Sequence, residues 1–281
     1  MLKKTKKKIT HTLLLLRRNY LISIFIVIAL VAGLVYIYKS FIGKSEYFYA
    51  RVRVDYPSSY YSKPDVWLAS SLKQGDKEYS LLGGTDAQII NTRYYSVGNA
   101  NNTNVFSIFL TLKLSGNFNK SKEIYTFQRT PLSVGSAISL NFSSGQIEGT
   151  VIELSPSPMN DKYVNKTVTL IWRTGYSQDF PYFYNNLPVG DKYFDGKDYV
   201  FEVLSKNLER TTLSVPDYLT GQVLSGDTTV LQNIIITARL KVLEKDGQLI
   251  YGGDQILKVG NNLNISTQNF NYNFFVVSNI Q

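Results

Sequence analysis

The hydrophobic pattern divides the chain into one uninterrupted apolar run and a long region of alternating positions. Residues 19–38 (NYLISIFIVIALVAGLVYIY) contain no charged side chain. At 1.5 Å rise per residue, such a run spans about 30 Å as a helix, the thickness of a hydrocarbon core. Because the run is apolar on every side and begins and ends with tyrosines, it predicts a transmembrane helix rather than a buried core helix.

The charges that flank the apolar run predict its orientation. Residues 1–18 hold seven of the 30 Lys and Arg residues and no acidic residue. The positive-inside rule therefore places residues 1–18 in the cytoplasm as a basic tail. A cleaved signal peptide is the main alternative, but Lys39–Lys44 (KSFIGK) offers no small-x-small cleavage site. We expect a single-pass signal anchor in the cell membrane that contacts the lipid bilayer through residues 19–38, with the rest of the chain extracytoplasmic.

Beyond Ser40 the pattern is typical of β-strands separated by turns. Val66–Leu72 and Phe183–Leu187 are the two places where a short helix is predicted. The fold class we predict is therefore all-β, with barrel-like or sandwich-like units after one N-terminal helix. The clearest alternation lies in Tyr49–Tyr56, Ser107–Leu114, Ile138–Phe142, Val168–Trp172, Tyr199–Leu204 and Ile234–Val242.

An internal repeat indicates that one β unit is used twice. Short motifs of the first half return in the same order in the second half, 115 to 128 residues later. The matched segments are Leu72–Lys77 with Leu187–Lys192, Ser107–Leu114 with Ile235–Val242, Pro131–Gly135 with Ile256–Gly260, and Gly149–Leu154 with Phe274–Val277. We predict tandem units at residues 45–155 and 163–281, joined by a Pro-rich segment at 156–162. Whether the units are separate domains or interlock stays open at this level.

The repeated glycines are candidate turn residues. Glycine supplies the positive φ of a tight turn, and an adjacent Asp can accept hydrogen bonds from neighbouring amides. A catalytic or metal-binding role for these Asp residues is the alternative, but each stands without a nearby second carboxylate or histidine. The predicted structural turns contain Gly75, Asp76, Gly135, Gly190, Asp191 and Gly260.

Composition excludes several classes of chemistry. The chain has no cysteine, and its single histidine, His11, lies in the basic tail. A Ser-His-Asp triad or a histidine-ligated zinc in the body is therefore excluded. No spacing selects a pair of carboxylates, so we predict no enzyme, no cofactor and no metal site. The net charge of +9 belongs mostly to the tail, since the remainder carries 23 basic and 21 acidic residues; nucleic acid is not an expected partner.

Aromatic residues are the richer candidates for binding. Two clusters, Tyr56–Trp67 and Tyr176–Tyr184, lie just before the two Gly-Asp turns. They predict either an exposed platform for a sugar or peptide, or ordinary packing, and we expect Trp67 and Trp172 in the core. The candidate contact residues are Tyr60, Tyr61, Trp67, Tyr182, Phe183 and Tyr184.

These motifs resemble those of a bacterial family of small single-pass membrane proteins with a domain of unknown function. The shared features are the basic start, the membrane helix, a strand at Arg51–Asp55, the Leu-x-x-Gly-Asp-Lys turn at Leu72–Lys77 and the later Leu-x-Val-Gly turn at Leu132–Gly135. The resemblance implies topology and fold, and it implies no catalytic residue. A weaker similarity connects the Val-Gly-Asp turn at Val189–Asp191 with periplasmic adaptors of efflux and secretion systems.

The predicted function is that of a non-enzymatic, membrane-anchored module of the cell envelope. Its tandem β units are expected to bind or scaffold an envelope protein through strand edges or loops. Two alternatives remain, a glycan-binding domain that uses the aromatic clusters and an adaptor subunit of a transport or export system.

Overall fold

The computed structural model describes residues 20–41, 46–54, 64, 66–80, 83–97, 105–173, 184–210, 214–216, 223–225, 232–267 and 269–281. It divides into two compact units, residues 1–46 and the body at residues 47–281. The first unit contains helix α1, Tyr20–Phe41. Its side chains are described from residue 23 to 35, and the large apolar ones among them are exposed. Over the described part of the chain, no helix combines the length and the apolarity needed to cross a membrane.

The body is all-β, as the alternation predicted, with one short helix α2 at Val66–Ser71. All six segments of clear alternation lie in strands, apart from residues 55 and 56, which lie outside the described residues. The strands are β1 (Tyr47–Val54), β2 (Lys77–Tyr79), β3 (Thr85–Val97), β4 (Val105–Asn119), β5 (Ile124–Phe127), β6 (Thr130–Leu132), β7 (Ala137–Phe142), β8 (Gly145–Ser155), β9 (Lys162–Arg173), β10 (Lys192–Phe194), β11 (Tyr199–Arg210), β12 (Ser214–Pro216), β13 (Val223–Ser225), β14 (Gln232–Lys245), β15 (Gln248–Tyr251), β16 (Gln255–Ile256), β17 (Asn262–Ser266) and β18 (Asn271–Ile280).

The strands form two nearly closed, barrel-like sheets with the same topology. The first barrel has the order β2-β3-β4-β1-β8-β7, with β5 and β6 continuing from β4. The second has the order β10-β11-β14-β9-β18-β17, with β15 and β16 continuing from β14. Strands β12 and β13 pair with each other and are an insertion in the second copy. The predicted repeat is confirmed.

The same local structure occurs at four glycine turns, two in each barrel. Each turn follows a buried leucine, and its glycine N–H donates to a carbonyl on a neighbouring strand at 2.7 or 2.8 Å. The strand residue whose carbonyl accepts this bond also donates its own N–H to the carbonyl of the residue after the glycine. The four glycines are Gly75, Gly135, Gly190 and Gly260, with φ of 95°, 90°, 87° and 92°. Their conformation is therefore the left-handed one that the sequence predicted.

Each turn is matched by a β-bulge on the strand that it contacts. The residue directly after the accepting residue is skipped in the pairing register, at Ile90, Ile152, Leu204 and Ser278. A bulge bends its strand and increases the local twist. In each case the residue before the bulge makes two hydrogen bonds to the turn, one through its N–H and one through its C=O. The four turns and their bulges therefore help to curve both sheets into barrels.

The turns show why the Gly-Asp pairs are structural. The carboxylate of Asp76 accepts from the N–H of Lys73 at 3.2 Å, and that of Asp191 accepts from the N–H of Lys192 at 3.1 Å. These are bonds to neighbouring amides, as expected. Strand β8 ends at Ser155 and β9 begins at Lys162, so both prolines of this segment lie between the two strands.

One prediction about the core is wrong. Trp172 is 5% exposed and packs in the second barrel, but Trp67 is 59% exposed. Helix α2 buries Leu68 and Ala69 in the first barrel, and on so short a helix the adjacent residue must point elsewhere. The predicted helix at residues 183–187 is described only from Tyr184, where a helical turn continues to residue 185.

Candidate functional site at the barrel junction

The two barrels interlock through the ends of β3 and β4. Tyr95 and Phe109 belong to the first barrel by pairing, yet both side chains are buried in the core of the second. The ring of Tyr95 lies 6.2 Å from that of Phe109 and 6.2 Å from that of Tyr251, measured between centroids. The second barrel contributes no buried residue to the core of the first among the described residues. The contact is therefore one-sided.

A glycine in the second barrel makes room for this insertion. A Cβ on Gly253 would overlap the ring of Phe109. Its φ of 86° is also one that other residues rarely adopt. Space and backbone conformation both require glycine where the first barrel enters the second.

One backbone hydrogen bond and three bonds from side-chain hydroxyl groups hold the end of β3 between two strands of the second barrel. The N–H of Tyr94 donates to the carbonyl of Asp195 at 2.8 Å. The hydroxyl of Tyr193 accepts from the N–H of Ser96 and donates to the carbonyl of Tyr94, both at 3.0 Å. The hydroxyl of Ser266 donates to the carbonyl of Ser96 at 3.2 Å. An extended segment of one barrel is thus bound by the other as a peptide ligand is bound at a sheet edge.

The carboxylate of Asp195 is the centre of the junction and is completely buried. Its oxygen Oδ2 accepts from the guanidinium of Arg93 and from the hydroxyl of Tyr95, the latter at 2.9 Å. Its Oδ1 accepts from the backbone N–H groups of Lys197 and Asp198 at 3.0 and 2.8 Å. A buried charge is tolerated when it is paired and fully hydrogen-bonded, and four donors meet that requirement here.

Further charges extend this network across the junction. Asp198 accepts from Arg93 at 2.8 Å and from Lys241 at 2.9 Å. The guanidinium carbon of Arg93 lies 4.4 Å from the ring centroid of Tyr163. Burial alone would lower the pKa of Arg93, but the negative charge of Asp195 and the hydrogen bond to Asp198 raise the pKa above its ordinary value. Arg93 therefore stays charged.

A second ion cluster lies where the Pro-rich joint leaves the first barrel. Arg51 donates to both oxygens of Asp161, at 2.5 and 2.7 Å, and lies 3.3 Å from Glu153. Lys245, at the end of β14, completes the cluster with a 2.7 Å contact to Glu153. Both contacts to Asp161 come from one guanidinium nitrogen, Nη2, while Nη1 faces Glu153; hydrogen bonds between charged groups are stronger than those between neutral ones. The Arg51–Asp161 pair holds the joint to the first barrel, and the Lys245–Glu153 pair links the second barrel to the first.

Several cavities border the junction, and two of them are lined by its charged residues. One of about 30 Å³ is lined by both arginines, Arg51 and Arg93, and by Tyr163 and Lys241. The other, of about 340 Å³, is more open and is formed mainly by residues of the joint and the end of β14. The first has room for one or two water molecules. The second is polar, and its acidic side chains Glu153, Asp161 and Glu244 each take part in an ion pair, Glu244 with Lys162.

Burial moves the pKa values of the junction tyrosines further above neutral pH, whereas proton transfer near neutral pH needs a pKa near 7. Burial and the nearby carboxylate of Asp195 raise the pKa of Tyr95 far above its ordinary value. Burial acts in the same direction on the pKa of Tyr193 and of Tyr251. In the described ranges, no group of three or more potential metal-ligating side chains comes together. The arrangement can hold two barrels in one fixed relation.

The predicted site residues fall in different places. The six turn residues line the four turns described above. Trp67 is exposed on α2, and Tyr184 lies under the ammonium of Lys206, whose nitrogen is 4.1 Å from the ring centroid. The candidates Tyr60, Tyr61, Tyr182 and Phe183 lie outside the described residues. The structure therefore brings none of the described aromatic candidates into a shared platform.

Sequence reasoning missed the junction residues. Arg93, Tyr95, Asp195 and Asp198 were assigned no role, although Asp195–Asp198 (DGKD) has the Asp and Gly of a tight turn. The adjacent tyrosines Tyr94 and Tyr95 were the other available signal, because a bulky aromatic on each face of a strand indicates burial on both sides.

Comparison with known proteins gives no relative for this architecture: no protein-family model, curated protein or solved structure matches the chain.

Proposed function

We propose that the chain is a membrane-anchored, non-enzymatic module of the bacterial envelope, whose paired barrels present a fixed binding surface to another envelope protein. In this proposal, residues 19–38 anchor the chain in the bilayer, the basic tail is cytoplasmic and the body is extracytoplasmic. The resemblance to single-pass membrane proteins with a Leu-x-x-Gly-Asp-Lys turn supports this assignment. The apolar side chains exposed along residues 23–35 of α1 also favour a non-aqueous environment.

The observation that carries the binding role is the exposure of an aromatic residue on a rigid element. Val66 and Trp67 are 55% and 59% exposed at the start of α2. The same helix is fixed by the buried side chains of Leu68 and Ala69, and by Leu72 directly after its end. Tryptophan on a rigid support offers a large contact area at low cost in conformational entropy, and it is enriched among residues that dominate binding energy.

The interior of the body supports the same function. The arginines and aspartates at the junction, which are the residues there with the most reactive side chains, are engaged in ion pairs with one another. A fixed pair of barrels keeps the geometry of an extended surface constant, so a partner that contacts both barrels loses less entropy on binding.

The test is crosslinking in the native membrane with a photoreactive residue at position 67 of the full-length chain. Position 74, an exposed residue of the following turn, is the matched control. We expect an adduct with one envelope protein at position 67 only. Trp67→Ala should weaken co-purification of that protein by about 30-fold, as expected for a dominant contact. Unchanged co-purification contradicts the proposal.

Glycan binding is the second candidate, because an exposed indole can also stack on a sugar ring. Trp67→Ala, alone and together with substitutions of Tyr60 and Tyr61, should then abolish retention of the protein on cell-wall or capsular polysaccharide. Retention that is unaffected by these changes, or absent from the start, rejects this candidate.

A further inference from the structure

The second barrel binds an extended segment of the first at the seam of its sheet, between the end strands β10 and β17. On β10, the hydroxyl of Tyr193 accepts from the N–H of Ser96 and donates to the carbonyl of Tyr94. On β17, the hydroxyl of Ser266 donates to the carbonyl of Ser96. Side chains from both edges of the seam therefore bind the backbone of the inserted segment.

The first barrel has the equivalent seam between its end strands β2 and β7. Glu78 corresponds to Tyr193, since each follows a Gly-Asp-Lys turn and directly precedes the bulge of its strand pair. Asn141 corresponds to Ser266, since each lies six residues after the glycine of its turn. In the first barrel the two equivalent residues contact each other, because the N–H of Asn141 donates to Oε1 of Glu78 at 3.2 Å. In the second barrel a segment contacts both positions.

The seam of the first barrel retains an unused hydrogen-bond acceptor. Glu78 is 9% exposed, and its oxygen Oε2 is buried without a hydrogen-bond partner. Within the described residues, no backbone hydrogen bond joins β2 to β7. A buried polar atom without a partner costs free energy, and each such atom needs a specific explanation. The equivalent side chain, that of Tyr193, accepts a backbone N–H from the inserted segment.

One feature of the second seam is not repeated in the first. In the second barrel, Phe109 enters beside Gly253, in the three-residue loop between β15 and β16. The corresponding connection between β5 and β6 is the two-residue turn of Gln128 and Arg129, which has no glycine. The first seam therefore fits one extended segment rather than two adjacent strands that bring an aromatic side chain into the core.

We infer that the β2–β7 seam of the first barrel, with Glu78 and Asn141 at its edges, binds one extended segment of a partner protein through the backbone of that segment. Glu78 accepts an N–H of the segment at Oε2. The occupant is a segment without a strand partner in its own protein, which adds to a sheet edge as β3 does in the second barrel. The inference deepens the proposed binding role and rests on it for the natural partner.

The probe is a synthetic peptide with the sequence of residues 91–97 (NTRYYSV), the segment that the second seam binds. It carries a fluorophore at its N-terminus and a benzophenone amino acid in place of Val97. A matched peptide with Ser96→Pro lacks the N–H that Glu78 is expected to accept. Fluorescence anisotropy with the full-length protein in detergent measures the affinities. We expect the proline peptide to bind at least about tenfold more weakly.

A protein variant tests the acceptor itself. Glu78→Met removes both carboxylate oxygens and should weaken binding of the parent peptide by at least about tenfold. Glu123→Met removes the same charge from an exposed turn and should bind the peptide like the parent protein. A thermal midpoint measured for each variant excludes unfolding as the cause. The proline peptide provides the same test on the unchanged protein.

Photocrosslinking locates the bound peptide. Adducts on β2 or β7 are expected. Adducts on β10 or β17 would mean that the peptide displaces β3 from the second seam, and they overturn the inference. Absence of binding up to about 1 mM peptide overturns it as well. So does an affinity that neither Glu78→Met nor the proline substitution changes.

These outcomes are separate from those of the proposed function, because peptide binding requires no envelope protein. Peptide bound at the first seam, with no envelope protein crosslinked from position 67, contradicts the proposed function and leaves the seam intact. An envelope protein crosslinked from position 67, with no peptide bound, contradicts only the inference about the seam.

Discussion

The hydroxyl of Tyr95, on β3 of the first barrel, donates a hydrogen bond of 2.9 Å to the carboxylate of Asp195 in the second barrel. Both side chains are buried, and Asp195 has no exposed surface. The contact joins residues one hundred positions apart, in two halves of the chain that form barrels of the same topology. The relative position of the two barrels is therefore fixed by buried contacts between them and not only by the segment that joins them.

Tyr95→Phe tests that hydrogen bond. The substitution keeps the ring in the second core and removes one of the four donors to Asp195. A buried hydrogen bond to a charged group contributes about 1.5–3 kcal/mol, so the free energy of unfolding should fall by roughly that amount. Urea denaturation measures it. Tyr199→Phe is the matched control, because that ring is 66% exposed and should change stability little.

Phe109→Ala tests whether the first barrel completes the second. Truncating a buried Phe costs about 3–5 kcal/mol. Because the cavity opens in the core that contains Trp172, the emission of this tryptophan should change at lower denaturant than in the parent. A Trp67→Phe background makes Trp172 the only tryptophan. Tyr79→Ala, at a position 62% exposed, is the control. Equal effects of the two substitutions would contradict a role for Phe109 in the core of the second barrel.

Stability at low pH should depend on Asp198. Burial alone would raise the pKa of this carboxyl, but hydrogen bonds from Lys241 and Arg93 outweigh it and hold the pKa below the ordinary value. The carboxylate therefore stabilises the fold above its unfolded pKa of about 3.9. That contribution is lost as pH falls through the lower folded pKa.

Asp198→Asn should accordingly lower the free energy of unfolding at neutral pH and flatten its dependence on pH below about 4. Denaturant midpoints measured between about pH 2 and 7 give the comparison. Asp246→Asn, at an exposed position of the β14–β15 turn, should leave the profile of the parent unchanged. A parent-like profile for Asp198→Asn would exclude a role for its charge.

Glu78 should behave in the opposite way. Burial raises the pKa of its carboxyl, the N–H of Asn141 opposes this shift, and the charge of Asp86 adds to it. Its oxygen Oε2 is buried without a hydrogen-bond partner. Because the folded pKa lies above the unfolded one, ionisation of Glu78 lowers stability as pH rises from about 4.3 through the folded value.

Glu78→Gln should therefore raise the thermal midpoint at pH 7 and have a smaller effect near pH 4, where the parent side chain is also neutral. Differential scanning calorimetry at the two pH values checks this. The exposed Glu123→Gln provides the control for loss of one negative charge. A lower midpoint at pH 7 would show that the charged form of Glu78 stabilises the barrel.

Most of the barrel architecture could be predicted from local signals. Alternation in segments such as Ser107–Leu114 follows from the period of a strand with one buried face. The four turns depend on a glycine with positive φ after a buried leucine, and both residues can be read along the chain. Trp67 shows the limit of this reasoning, since hydrophobicity alone does not say which side of a one-turn helix meets the core.

The sequence by itself determined the all-β class, the duplication, the glycine turns and the Pro-rich break between the copies, because each depends on neighbouring residues. Only the tertiary structure decided that residues of the first barrel enter the core of the second. Tyr95 and Phe109 have the pattern of ordinary inward-facing strand residues. Which core they enter depends on how far β3 and β4 extend beyond their own barrel and on the space left by Gly253. Both conditions involve segments that are far apart in the chain, so neighbouring residues do not reveal them.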